Sequence, residues 1–188
     1  MKSKLLLLSL FTFSFSAHYE FVSKSEGSSK LSFKANQINF DEVKGFSKFQ
    51  SSSEATTTDE GMPELPLYTS FFQMNPEKKY SVSYEVVSSY KIENIDIYPF
   101  QGEEAFIDED NPLKISESSY NSKNVYPINN ITLSDPMVMR DIEVGLISFI
   151  PFKYDFHSKT LEVFDEVEII VSEDGNRVHT SNIPDKRS

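Results

Sequence analysis

The stretch LSDPMVMRDIEVGLISFIPFKYDFHSKTLEVFDEVEIIVSE, residues 133–173, decides the fold. In its second half Leu161, Val163, Val167, Ile169 and Val171 share one parity, and Glu162, Glu166, Glu168 and Ser172 share the other. A period of two with acids on the wet side is that of a half-buried antiparallel strand. In the first half Ile142, Val144, Leu146 and Ile150 oppose Ile147 and Phe149, so both faces are apolar and a more central strand is predicted. Residues 151–160 read as a hairpin connection, with Pro151 closing one strand and His157-Ser158-Lys159 at the turn. The expectation is a long hairpin with one acidic face, whose apolar side needs a second sheet to cover it.

Working outward, the same pattern recurs in shorter pieces. Residues 31–35 alternate and 38–40 continue with a shift, predicting a first strand, and 43–49 a second, weakened by Gly45. Residues 18–30 are polar and serine-rich and read as a loose lead-in, and 51–58 (SSSEATTT) as a polar loop. Residues 67–74 and 80–87 read as strands around an Asn75-Pro76-Glu77-Lys78 turn, and 92–98 as another strand stopped by Pro99. Residues 101–127 carry neither a strand nor a helix pattern, and loops of that length are usually functional or disordered. With no helical period of useful length, the fold class is all-β: an antiparallel β-sandwich, jelly-roll-like.

Composition sets the address and excludes several chemistries. Lys2 and Lys4 precede an apolar run over 5–15 and small residues at Ser14, Ser16 and Ala17, the order of a secretory signal peptide over residues 1–16. The run is too short to span a membrane, which takes about 20 apolar residues. The expected localisation is therefore secreted: exported to the periplasm, then extracellular or at the cell surface, with no membrane association after signal removal. Loss of the signal leaves sixteen basic residues against 29 acids, a net charge of −13. Such a surface argues against nucleic acid as a partner.

The chain has no Cys, so neither disulfides nor thiol catalysis is available to it. His18, His157 and His179 have no metal-ligand spacing, and no metal site or cofactor is expected. Asp108-Glu-Asp-Asn111 lacks the glycine turn of a calcium loop and reads as a solvated acidic loop. No Gly-x-Ser-x-Gly elbow frames a nucleophile. Asn130-Ile-Thr132 fits a glycosylation acceptor. Nothing in the residues themselves marks an active site.

The chain resembles the N-terminal propeptide of the gingipain family of secreted cysteine peptidases. The resemblance is carried by Gly61-x-Pro63-x-Leu65-Pro66, by Val86-Val-Ser-Ser89 leading to Pro99, and by Asn111-Pro112, Ser119-Tyr120 and Tyr126-Pro127. It continues through Asp135-Pro136, the Arg140-Asp141 pair and Pro151-Phe-x-Tyr154. It implies a β-sandwich prodomain, not itself an enzyme, that keeps a zymogen latent by covering the active-site cleft with an extended loop and assists its folding. The implied partner is the cognate catalytic domain, in cis or in trans. The spans are then a signal peptide (1–16), a polar lead-in with the first strands (17–60), the propeptide-like core (61–173) and a polar tail towards a peptidase domain (174–188).

One departure concerns the inhibitory loop. In the best-known members a basic side chain after the Pro-terminated strand plugs the specificity pocket, yet residues 101–111 contain no Lys or Arg. The candidates here are Ala105, Phe106, Ile107 and Asp108, with Phe106 as the large hydrophobe and Lys114 or Lys123 as alternative plugs. The residues also allow blander roles. Gly61, Pro63 and Pro66 fix backbone, Phe152 and Tyr154 suit a core, Arg140-Asp141 suits a local ion pair, and Phe106 could pin a loop. The rival class is a secreted adhesion or carbohydrate-binding module, which would expose an aromatic platform on a sheet face.

Overall fold

The computed structural model describes residues 19–25, 27–35, 37–50, 55–102, 112–120 and 124–177. In chain order the strands are β1 (Tyr19–Ser25), β2 (Ser28–Lys34), β3 (Phe40–Val43), β4 (Phe46–Phe49), β5 (Ala55–Thr56), β6 (Pro66–Gln73) and β7 (Lys78–Ile92). A single helical turn, α1 (Glu117–Tyr120), follows. Then come β8 (Val125–Tyr126), β9 (Ile131–Leu133), β10 (Met137–Met139), β11 (Ile142–Phe149), β12 (Phe152–Asp155) and β13 (Thr160–Asn176).

Two antiparallel sheets share one core, so the all-β sandwich expectation holds. The first runs β1-β2-β13-β12-β8, with β7 along the other edge of β13; the second runs β10-β11-β6-β5, with β9 also on β11. The parity read from the sequence is the parity of burial: Leu161, Val163, Val167, Ile169 and Val171 are at most 1% exposed. Aromatic rings fill the space between the sheets. Phe33 of β2 meets Phe149 of β11 at 5.2 Å and Tyr68 of β6 at 5.1 Å, and Tyr84 of β7 meets Phe149 at 5.4 Å. These tilted and edge-on contacts are the favoured arrangements of aromatic pairs.

The long hairpin expected over 133–173 is not formed. β11 and β13 lie in different sheets: β11 pairs with β6, β9 and β10, while β13 pairs with β12, β2 and β7. The chain changes sheets at Ile150-Pro151, and the actual hairpin is β12–β13. Its turn is organised by Asp155, whose carboxylate accepts from the Ser158 and His157 amides (3.2 and 2.8 Å) and is held below its usual pKa by those bonds. Pro151, without an N–H, suits the crossing point, and its carbonyl accepts from Phe164 N at 2.9 Å. Asn130 clasps the crossing. Its buried side-chain amide donates to the carbonyls of Ile150 (2.7 Å) and Phe152 (2.8 Å), and its Oδ1 accepts from Tyr84 Oη (3.3 Å). Two apolar faces in one strand and a neighbouring strand of period two are equally compatible with one sheet or two. Only the crossing distinguishes them.

Other differences follow the same logic. The polar lead-in contains β1, an edge strand whose Glu20, Val22, Ser23 and Ser25 are exposed; it needs only backbone pairing with β2, which hydropathy does not report. Residues 43–49 belong to a two-residue hairpin of β3 and β4, turned by Lys44-Gly45 at φ 51° and 81°. Ala55 and Thr56 pair with β6 as β5. β7 continues to Ile92, so residues 95–100 form a separate strip. Arg140-Asp141, both at positive φ (46° and 67°), are the two-residue turn between β10 and β11, a backbone role that an ion pair does not describe. The stretch 101–127 does hold regular structure, α1 and β8, too short to leave a periodic signature.

The register makes a quantitative expectation. Ile169, fully buried opposite Leu31 and Tyr84, should cost about 2–4 kcal/mol when replaced by alanine. Its neighbour Glu168 bonds Lys30 at 2.9 Å with both side chains over a third exposed, so Glu168→Ala should change stability by about 0.5 kcal/mol or less. Denaturant melts of the two variants check the order.

Candidate functional site

Gly61, Pro63, Leu65 and Pro66 are all buried, and together they build one feature. Residues 61–64 run antiparallel to residues 98–100. Gly61 N donates to Phe100 O (2.8 Å), Phe100 N to Met62 O (2.8 Å) and Glu64 N to Tyr98 O (2.8 Å). Pro63 and Pro99 face each other across this ladder. They occupy the one pair that exchanges no backbone hydrogen bond, so neither missing N–H leaves a gap. The far edge of the 95–100 strip is held too, by Ser47 N to Asp96 O (2.7 Å) and Tyr98 N to Ser47 O (2.9 Å). Thr57 locks the other side of the motif: its hydroxyl donates to Pro63 O (2.8 Å) and accepts from Leu65 N (3.0 Å).

Gly61 meets two demands at once. Its φ is +75°, and a β-carbon there would lie 2.8 Å from the backbone nitrogen of Ser116. That nitrogen donates to Gly61 O (3.0 Å) and begins the turn of α1, whose Tyr120 hydroxyl donates to Ile97 O (2.9 Å). Residues 99–102 and 112–116 are thus drawn to the same small platform. Gln101 joins them directly: its Nε2 donates to Pro99 O (2.8 Å) and Lys114 O (3.1 Å), and its Oε1 accepts from Lys114 N (2.9 Å). Glu60 stands beside both feet, pairing with Lys114 at 3.4 Å and lying 2.9 Å from where a β-carbon of Gly102 would be. Together these contacts form a neck from which the chain leaves at Gly102 and to which it returns at Pro112.

The expected site residues divide accordingly. Ala105, Phe106, Ile107, Asp108 and Lys123 lie outside the described residues, as do His18, His179 and the acidic run 108–111. Lys114 is at the neck, its side chain 65% exposed and paired with Glu60. Tyr154 is fully buried and donates to Ile95 O (2.9 Å), bracing the strip that carries the neck. Asp135, Pro136 and Arg140 are elsewhere, exposed around β10 on the second sheet, and Pro151 is buried at the sheet crossing. Sequence reasoning singled out Tyr120 only as part of a motif and gave no role to Glu60, Gln101 or Ser116. Gln101, Ser116 and Tyr120 act on backbone carbonyls and amides, which no side-chain pattern announces. Among the described residues, no group of acids and histidines could hold a metal.

Beside the neck a cleft of about 880 Å³ lies between the ends of the two sheets, lined in part by Thr57, Asp59, Met62, Tyr126, Ile128 and Phe156. Tyr126 crosses it, donating to Asp59 Oδ2 at 2.9 Å. Burial, aided by the Asp59 carboxylate, pushes the Tyr126 hydroxyl up to about 12, and burial raises Tyr120 and Tyr154 as well.

The Propeptide_C25 family model matches residues 20–185. The chain belongs to the gingipain-type propeptide family. Gingipain R1 of Porphyromonas gingivalis is 31% identical over 160 residues, covering 80% of this chain and 16% of its own length. Gingipain R2 of the same organism is 30% identical over 159 residues, covering 81% and 21%. This propeptide therefore spans only about a fifth of the length of the curated relatives it matches, or less. The solved complex of the pro- and mature domains of Porphyromonas gingivalis RgpB superposes on 87% of this chain and 88% of the other, with TM-score 0.70 at 26% identity. A structure concerned with the zymogenic latency of gingipain K shares the fold, with TM-score 0.67 at 20% identity over 84% and 92%.

Two measurements test the neck. Gly61→Ala should cost at least about 2 kcal/mol, since a left-handed φ and a clash with rigid backbone add. Gly27→Ala, at φ +74° with nothing within 4 Å, should cost only about 1 kcal/mol. For Tyr126 the folded pKa lies above the unfolded 10.0, so its stabilisation is complete below pH 10 and is lost as pH rises towards 12. The melting-temperature advantage of the wild type over Tyr126→Phe should shrink across that window.

Proposed function

We propose that this propeptide keeps a gingipain-type cysteine peptidase latent during export and assists its folding. It does so by laying the segment between Gly102 and Pro112 over the active-site cleft. The observation that carries the reading is the neck, in a chain of a propeptide family: a backbone platform fixes both feet of a nine-residue span. Pinned at both ends, such a span can project at most about 15 Å. That suffices to enter a cleft, and fixed feet lower the entropy lost on docking. A catalytic domain in cis would meet the segment at high effective concentration. The signal at residues 1–16 directs the zymogen out of the cytoplasm, to the periplasm and then the cell exterior, and the charge of −13 keeps it soluble there.

Within the segment Phe106 is the group that fills the peptidase's pocket, flanked by Ala105, Ile107 and Asp108. With no Lys or Arg in 101–111, the cognate enzyme would accept a large apolar residue in place of a basic one. Lys114 and Lys123 are the fallback plugs. The adhesion or carbohydrate-binding alternative gains nothing, since the exposed aromatics Phe71 and Tyr90 stand on different sheets among the described residues.

Titration of the chain against the mature domains of gingipain R1 and gingipain K, and against a peptidase domain from its own source, tests the reading. Phe106→Ala should weaken inhibition by about 2 kcal/mol or more while the melting temperature holds. Lost stability with intact inhibition would instead make Phe106 an anchor of the domain and send the search to Lys114 and Lys123.

A further inference from the structure

We propose that the outer edge of β7 pairs with the same edge of a second copy of this chain, in an antiparallel two-fold arrangement centred on Val82. The inference does not rest on the inhibitory reading. Among the described residues β7 has one strand neighbour, β13, so its other side presents a row of backbone N–H and C=O groups outside any ladder. Such a row is a template for another strand unless a bulge, a proline, charge or brevity blunts it. The opposite edge of the same sheet is blunted, for β1 is bulged between Phe21 and Ser23; β10, an edge of the second sheet, is three residues long. β7 has neither protection where it matters. It contains no proline, and from Tyr80 to Val86 it runs in unbroken register with β13.

The sequence of this edge is its own complement. Residues 79–85 read Lys-Tyr-Ser-Val-Ser-Tyr-Glu, a palindrome about Val82 whose ends carry opposite charge. Antiparallel pairing of two copies about Val82 sets Val82 against itself, Ser81 against Ser83, Tyr80 against Tyr84 and Lys79 against Glu85, the last three twice over. A residue paired with its own copy lies on a two-fold axis whether or not the pair exchanges backbone hydrogen bonds, so the assembly closes as a dimer. The faces agree as well. Tyr80, Val82 and Tyr84 pack towards the core, whereas Lys79, Ser81, Ser83 and Glu85 are exposed on the other side. Both ion pairs therefore form on the solvent face while the apolar row continues across the junction. Moving the centre to Ser81 or Ser83, the nearest registers that keep the faces, sets Lys79 against Ser83 or Val87 and forms neither ion pair. Glu85 has its own need of a cation. Within one copy it lies directly opposite Glu168, an unfavourable like-charge pair, and Lys30 bonds Glu168 at 2.9 Å. The second copy's Lys79 reaches Glu85 from its open side.

The test uses the whole chain in about 0.15 M salt, where the net charge of each copy is screened beyond about 8 Å. A strand edge is a small interface, so sedimentation from about 1 μM to about 1 mM should show a monomer–dimer equilibrium within that range. Lys79→Glu alone and Glu85→Lys alone should each weaken the dimer about tenfold or more, because two attractions become two repulsions. Both changes in one chain, or an equimolar mixture of the two single variants, should restore dimers to within about threefold of wild type. The absence of Cys gives a second readout. A Ser81→Cys copy mixed with a Ser83→Cys copy should form a disulfide-linked pair about tenfold faster than either variant by itself, since only the mixture brings the two thiols opposite each other. Dimers indifferent to the single charge changes, or a mixture that restores nothing, refute pairing about Val82. A chain that stays monomeric to about 1 mM overturns the proposal outright. If that monomer binds mature gingipain R1 or gingipain K and Lys79→Glu weakens the binding, the edge belongs to a catalytic domain and not to a second copy.

Discussion

The two edges of β13 are shared unequally. One is taken along its whole length by β7; the other is divided between β12 at its start and β2 further on, and the division falls at Asp165. On one side of that residue Phe164 N reaches Pro151 O, and on the other Ala35 N reaches Asp165 O, so the handover leaves neither group unpaired. A bulge at Asp165 and a compensating one in β7 keep the parity of the strand the same before and after. Because of that, Leu161 and Val163 face the same core as Val167, Ile169 and Val171, and strands from both ends of the chain are held by one backbone. Removing any large apolar residue from β13 therefore disturbs both halves of the first sheet at once.

The neck is built on a different economy. Its ladder is short, contains two prolines and is flanked by acids, which would ordinarily mark it as weak. The prolines sit opposite one another at the pair that needs no donor, the glycine sits where a β-carbon would strike backbone, and Thr57 covers the remaining carbonyl. What results is stiffness from fixed φ and close approach, added to the burial of Leu65, Ile97 and Tyr98. A platform of that kind suits a surface that must stay in shape while its neighbour changes from bound to free.

The sandwich was legible because alternation is a direct image of burial: the residues expected to face inward on β13 are the ones without exposure. Pairing was less legible. Ile142 to Phe149 and Leu161 to Val171 each read correctly as strands, yet sequence adjacency suggested a hairpin, and what separates them is Asn130, a residue some twenty positions upstream of the crossing it clasps. β1 was invisible because an edge strand needs no apolar stripe. At the neck the family motif was visible as Gly, Pro, Leu and Pro, while Gln101 and Ser116 were not. Their partners are main-chain atoms, and main-chain atoms carry no letter. The proposed inhibitory residues had the opposite difficulty: Ala105-Phe106-Ile107 stands out in composition, but an apolar run among acids carries no geometry of its own.

Asn130 has a consequence for where this propeptide can be made. It opens an Asn-Ile-Thr triplet, the acceptor signature of a host that attaches glycans to nascent chains. Such a host reads the triplet on the emerging chain, while β11, β12 and β13 are still unfolded and before the carbonyls of Ile150 and Phe152 can claim the amide. A sugar installed then would occupy both the nitrogen and the space that the finished sandwich closes over, for Asn130 is only 4% exposed. Timing thus sets the glycosyltransferase against the fold, and a secretory pathway lacking that enzyme at the point of synthesis is the one in which this chain completes its sheet crossing.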